Sequence, residues 1–175
     1  MIERIIIAGA GGQGVMLLGK VLAEAAMRED KFVTWLPSYG AEVRGGTAHC
    51  MVVISDKEIG SPYIDKADTL IIMNKPSLAK FEKRVRPGGL RIVNSSLSGE
   101  DLKKTDNLIN QPFTGVAEQL GNIKIANMVA LGCYIGHRKI IEPGIIKQVM
   151  AEIAPKDKQS LVEINQQAFF AGMKL

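Results

Sequence analysis

Ile2-Glu3-Arg4-Ile5-Ile6-Ile7-Ala8-Gly9-Ala10-Gly11-Gly12-Gln13-Gly14 opens the chain and decides its fold. The β-branched run from Ile2 to Ala8, ended by glycines, reads as a strand buried on both faces. From about Gln13 to Arg28 the pattern turns helical, with Val15, Leu18, Leu22 and Ala25/Ala26 at three- and four-residue spacing. Gly9, Gly11 and Gly14 therefore fit G-x-G-x-x-G between a strand and a helix, the context that motif requires. Gly9 would permit the tight turn, Gly11 would let main chain approach a ligand, and Gly14 would let the helix pack closely on the strand. The helix start offers free N–H groups and positive dipole to an anion such as a phosphate. The alternative is a glycine-rich turn that only solves packing.

Working outward, Phe32–Leu36 reads as a second strand stopped by Pro37, and Ala48–Ser55 as a third. Few residues join them, too few for a parallel crossover, so the pair is antiparallel or the two lie apart in a mixed sheet. Asp68–Met73 reads as a fourth strand. Pro76 opens a helix to about Arg86, and Pro87-Gly88-Gly89 turns into a fifth strand at Leu90–Val93. An extended piece at 108–113 precedes helices near 114–120, 126–138, 144–153 and 160–171. A βαβ start with a helical C-terminal third predicts a Rossmann-like α/β three-layer sandwich on a mostly parallel, mixed sheet. Residues 1–175 read as a single domain, with no repeat, low-complexity tract or linker.

A plain NAD enzyme needs an acid at the end of strand two to hold the ribose hydroxyls. Phe32 to Gly40 contains none, and no G-K-[ST] follows the glycines, so a Walker loop is excluded too. Instead the second strand leads into Ser38-Tyr39-Gly40-Ala41-Glu42-Val43-Arg44-Gly45-Gly46-Thr47. If strands one and two are parallel neighbours, this loop leaves the same carboxyl edge as the glycine loop, where open α/β sheets bind ligands. Arg44 can grip phosphate or carboxylate bidentately, Gly45-Gly46 lets main chain come close, and Glu42 could orient the arginine or accept a proton. An Arg–Glu pair in a bent surface loop is the plainer alternative.

Composition narrows the classes further. The net charge of +4 and 5% aromatic content argue against nucleic acid, and no apolar run reaches the roughly 20 residues of a membrane span. Cys50 and Cys133 are too few for a disulfide framework or an iron–sulfur site, and they point to a reducing, cytoplasmic compartment. Both read as buried structural thiols. His49 reads as a strand residue and His137 as surface charge beside Arg138 and Lys139. Asn74 and Asn94 read as turn residues, and Asn127 as an N-cap or a subunit contact. Six cations against Glu82 between Lys75 and Arg91 read mostly as a solvated helix face, able to steer an acidic or anionic partner.

Taken in order, G-A-G-G-Q-G at 9–14, S-Y-G-A-E-V-R-G-G at 38–46, Ile59-Gly60-Ser61-Pro62 and Asn127-Met128-Val129-Ala130-Leu131-Gly132 resemble the γ subunit of 2-oxoacid:ferredoxin oxidoreductases. The similarity spans nearly the whole chain and looks most like the 2-oxoglutarate enzyme, with pyruvate, branched-chain and indolepyruvate relatives close. The resemblance implies oxidative decarboxylation of 2-oxoglutarate to succinyl-CoA with reduction of ferredoxin. It implies thiamine diphosphate, Mg and iron–sulfur clusters on partner α and β subunits, and on a ferredoxin-like δ subunit where one exists. This chain would then be inactive alone, forming a wall of the assembled site with contacts to CoA, the co-substrate. The expected ligand contacts are Gly9, Gly11, Gly12, Gln13, Gly14, Ser38, Tyr39, Gly40, Glu42, Arg44, Gly45, Gly46 and Thr47. Ser61-Pro62 would shape a subunit interface, and Leu17, Val21 and Met128 would be partly interfacial. A stand-alone nucleotide-binding protein, regulator or NAD(P)-dependent enzyme, is the competing reading.

Overall fold

A computed structural model describes residues 1–38, 47–99, 102 and 107–175. The strands are β1 (Ile2–Ala10), β2 (Phe32–Ser38), β3 (Thr47–Ser55), β4 (Ala67–Ile72), β5 (Val85–Asn94) and β6 (Leu108–Gln111). The α-helices are α1 (Val15–Arg28), α2 (Lys75–Phe81), α3 (Ser95–Ser98), α4 (Phe113–Gln119), α5 (Ala126–Arg138), α6 (Pro143–Ile153) and α7 (Val162–Gly172). Short 3-10 turns occupy Glu82–Arg84, Ile123–Ile125 and Lys156–Leu161.

The sheet order is β2-β3-β1-β4-β5-β6. β1, β4, β5 and β6 run parallel, and β3 runs against both β1 and β2. The α/β class with a mixed, mostly parallel sheet is as expected, and the β2–β3 pair is antiparallel. β1 and β2 are not neighbours, because β3 lies between them. They nevertheless point the same way, so their carboxyl ends share one edge.

Central strands explain the continuous apolar runs. Ile5, Ile6, Ile7 and Ala8 of β1 and Leu70, Ile71 and Ile72 of β4 are fully buried, because helices or loops cover both faces. Each isoleucine or leucine among them contributes roughly 1.5–3 kcal/mol on burial. One face carries α1, α4, α5, α6 and α7. The other is covered by α2 and by Ile64 of the loop before β4. Residues 126–135 of α5 are buried on every side because that stretch lies between the sheet and α7.

The α5–α7 crossing is closed by glycines. A Cβ on Gly132 would collide with the Phe169 carbonyl, and one on Gly172 with the Val129 carbonyl. A Cβ on Gly136 would stand 2.9 Å from the Met173 carbonyl oxygen. The two backbones are in contact there.

Several boundaries differ from expectation. Pro37 does not stop β2 but lies within it, paired with Cys50. Proline has no N–H to donate, and β2 is an edge strand where none is needed on the outer side. Pro87-Gly88-Gly89 likewise lies inside β5, in the register shift against β4 between Val85 and Leu90. The helix begun at Pro76 is α only to Phe81 and ends in the 3-10 turn. Asn74 is its N-cap, its Oδ1 accepting the Ser77 N–H at 3.0 Å.

At the amino edge of the sheet, Glu3 of β1 accepts from the Thr69 hydroxyl at 2.6 Å and pairs with Arg138 of α5 at 3.1 Å. Asp68 pairs with Arg86 at 2.7 Å and accepts the Arg4 N–H at 2.8 Å. Burial holds the Glu3 carboxyl above its ordinary range, against the opposing pull of Thr69 and Arg138. No described helix is long and apolar enough to cross a membrane.

Candidate functional site

The turn after β1 shows what each glycine does. Gly12 and Gly14 take positive φ, 88° and 70°, which only glycine adopts cheaply. Gly14 also faces Asn127, whose amide a Cβ would strike. Gly14 therefore makes room for α5 rather than for strand packing. At Gly9 a Cβ would stand 2.9 Å from both Met73 Cβ and Val15 Cγ1, so this residue is a packing point. Gly11 and Gly12 are exposed, and added Cβ atoms there would meet open space. Among the turn's glycines, these two are where an outside molecule can approach main chain.

Gln13 folds back onto the turn. Its Oε1 accepts the Ala10 N–H at 2.6 Å, its Nε2 donates to the Met73 carbonyl at 3.4 Å, and its own N–H donates to Ala10 O at 3.2 Å. The side chain braces the loop against β4. Asn127, the second residue of α5, is not an N-cap either. Its Nδ2 donates to the Gly14 carbonyl at 3.1 Å, clasping the glycine turn to α5. Its buried Oδ1 has no partner among the described residues.

The second motif is anchored beside the first. Thr47 pairs with Ala10 and Ser38 with His49, so the described residues on either side of 39–46 stand at the carboxyl edge, Thr47 next to the glycine turn. Tyr39, Gly40, Glu42, Arg44, Gly45 and Gly46 lie outside the described residues. Of the expected contacts, Gly9, Gly11, Gly12, Gln13, Gly14 and Thr47 are thus brought together, with Ser38 one strand further out.

Three further groups at this edge were missed in the sequence. Lys80 of α2 donates to Thr47 Oγ1 at 2.9 Å; it had looked like one more charge on a solvated helix face. His49 lies under Phe81, ring centroids 4.8 Å apart. Burial, then the Lys80 and Arg84 charges, hold its pKa below the usual imidazole value. Lys124, whose turn is marked only by Asn122, lines a cleft of about 140 Å3 with Gly12, Gln13, Met73, Leu97 and Thr114.

Asn94 is structural here. Fully buried, its Nδ2 donates to Met73 O at 3.1 Å and Thr114 Oγ1 at 2.9 Å, and its Oδ1 accepts the Thr114 N–H at 3.3 Å. It ties the ends of β4, β5 and α4 into one wall. Burial pushes both thiols, Cys50 and Cys133, up to about 12, so both are buried and unreactive as read. His137 is exposed, with Nδ1 2.9 Å from the Cys133 carbonyl oxygen. Ser61 and Pro62 are exposed; Leu17 is exposed, but Val21 and Met128 are buried within the chain. No cluster of metal ligands occurs among the described residues.

Residues 4–175 match the family model described as pyruvate ferredoxin/flavodoxin oxidoreductase. The chain is 38% identical over 173 residues to the ketoisovalerate oxidoreductase subunit VorA of Methanothermobacter marburgensis, covering 97% of this chain and 35% of that protein. It thus spans about a third of the length of that relative. It is 31% identical over 179 residues to the 2-oxoglutarate synthase subunit KorC of Methanocaldococcus jannaschii, covering 100% of this chain and 94% of KorC. Among solved structures, the γ subunit of a keto/oxoacid ferredoxin oxidoreductase from Geobacter sulfurreducens superposes with a TM-score of 0.84 at 28% identity, over 98% of this chain and 96% of that one. The fold also recurs in the 2-oxoglutarate:ferredoxin oxidoreductase of Magnetococcus marinus, solved with 2-oxoglutarate, coenzyme A and succinyl-CoA bound. There the TM-score is 0.86 at 23% identity, over 99% of this chain and 30% of that one.

Proposed function

The chain belongs to the pyruvate ferredoxin/flavodoxin oxidoreductase family, and from that premise we propose that it serves as the γ-type subunit of a CoA-acylating 2-oxoacid:ferredoxin oxidoreductase. Its part is the CoA side of the assembled site, together with subunit packing. The observation that carries this is the pairing of Ala10 with Thr47, which sets the anchors of both family motifs side by side on one edge. There the exposed main chain of Gly11 and Gly12 faces an incoming anion, with Lys124 and Lys80 adding positive charge. Arg44, Glu42, Tyr39 and Gly45–Gly46 complete the contact from the second motif in this proposal. Gln13 acts through the loop it braces rather than by touching the ligand.

The cofactor chemistry belongs on partner subunits: thiamine diphosphate with Mg to stabilise the carbanion, and iron–sulfur clusters to pass electrons to ferredoxin. Two buried thiols and no G-D-G diphosphate motif in this chain support that division. For the substrate, end-to-end similarity to 2-oxoglutarate synthase subunits favours 2-oxoglutarate, giving succinyl-CoA. The higher identity to a ketoisovalerate enzyme subunit favours the branched-chain acid instead. A stand-alone NAD(P) enzyme remains without its strand-two acid.

Co-expression with the neighbouring oxidoreductase chains, followed by viologen reduction with 2-oxoglutarate, ketoisovalerate and pyruvate, tests the proposal. The expected result is reduction by the complex, dependent on CoA, and none by this chain alone. A complex that turns over equally well without CoA would remove the CoA role. CoA should also protect the complex from limited proteolysis, and Arg44→Ala should abolish that protection.

A further inference from the structure

Beside the glycine turn, an apolar groove of about 230 Å3 runs between α1, α5, the end of α6 and the 3-10 turn that follows. Val21, Met128 and Met150, all buried, line it, and Leu17 and Leu161 stand in its walls with about 40% of their surface exposed. Ile123, between the lining residues Asn122 and Lys124, is 60% exposed. Aliphatic side chains left in water around a concave apolar wall mark a surface made to be covered. The groove carries two lysines, Lys124 and Lys158, and no Asp or Glu lines it. Neither ammonium is paired among the described residues.

We propose that this groove is the seat of a partner subunit of the oxidoreductase, which inserts an apolar anchor next to at least one of its own carboxylates. The proposal rests on the reading of this chain as a γ-type subunit and says which face is covered and by what chemistry. Charge complementarity selects the occupant. Two lysines unpaired among the described residues, with no acid among the groove's lining, would repel a second copy of the same basic face, whereas an acidic rim on a different chain satisfies both. The groove also shares Lys124 with the cleft beside Gly12, so a seated partner closes one side of the rim where CoA is placed. Asn127, itself a lining residue, keeps a buried Oδ1 without a partner among the described residues, which a small shift on docking can supply with a donor.

The test uses tagged chain co-expressed with its catalytic partner subunits, identified by mass spectrometry, and quantifies what co-purifies. Leu17→Asp and Leu161→Asp change exposed residues, so thermal melts of the isolated variants should match wild type. Each should lower co-purified partner by roughly tenfold or more, as expected when an anchor pocket is lost. Lys124→Glu should slow assembly at low salt, with the difference shrinking at high salt. Met27→Asp, at a more exposed residue outside the groove, should assemble as wild type. Wild-type yields from Leu17→Asp and Leu161→Asp would overturn the proposal while leaving the subunit reading intact. A self-dimer broken by Leu17→Asp, or a small molecule held in the groove in native mass spectra, would overturn it too. Failure of the wild-type chain itself to assemble would remove both readings.

Discussion

Two glycine clusters in this chain solve opposite problems. At the α5–α7 crossing, the space that a side chain would fill on Gly132 and Gly172 is already occupied by carbonyl groups of the facing helix. At the carboxyl rim, the space beside Gly11 and Gly12 is empty. The first cluster makes room for the chain's own backbone, whereas the second leaves its main chain uncovered. Gly14 stands between them, with an exposed turn before it and the Asn127 amide against it. The same residue type therefore marks close packing in one place and open main chain in the other, and the proposed CoA contact draws on the second.

The largest expected effect falls on the crossing. Gly132→Ala should destabilise the chain by about 3 kcal/mol or more, because backbone cannot yield as a flexible side chain would. That corresponds to a fall in Tm of roughly 6–12 °C in calorimetry. The same variant should expose Cys133 to alkylation at pH 8. In the native protein its thiol, held near 12, should stay unmodified. A Gly132→Ala protein of wild-type stability would break the comparison at its root.

Gly14→Ala comes next, at about 2 kcal/mol, from its positive φ and the Asn127 contact together. Gly11→Ala should cost under about 0.5 kcal/mol in stability, as for a substitution meeting open space. It should nevertheless weaken CoA protection of the assembled complex several-fold. If Gly11→Ala lost stability and kept binding, the rim would be a packing device like the crossing.

The smallest effect concerns His49 under the rim. Its folded pKa lies below the unfolded value of about 6.5. The folded state thus resists the proton that the unfolded state takes up, and the stability that His49 contributes is full above that value. It declines as pH falls from there through the folded pKa. NMR titration of the wild type and Lys80→Ala should show His49 titrating higher in the variant, since a neighbouring cation has been removed.

Much of this architecture was legible in the sequence because local patterns and tertiary demands agree. The buried run of β1, the turn into α1, and the short β2–β3 connection all follow from periodicity and spacing. What escaped was set by partners distant in the chain. Asn127 reads as a cap or a subunit contact because nothing local shows that its amide reaches Gly14. Nothing local shows that Gln13 bonds to both Ala10 and Met73. Gly132 and Gly172 sit in separate helical patterns, and only the crossing shows that each needs the other's backbone. Pro37 reads as a terminator and Pro87 as part of a turn, yet a proline at a sheet edge or within a register shift interrupts no ladder that matters.

Pro37 has one more effect. It lies in the outermost strand, where its ring nitrogen offers a visiting strand no donor, so the ladder cannot be continued there without a gap. Sheet-to-sheet aggregation, the standing hazard of an open flank bearing Phe32 and Leu36, meets a built-in deterrent at that position.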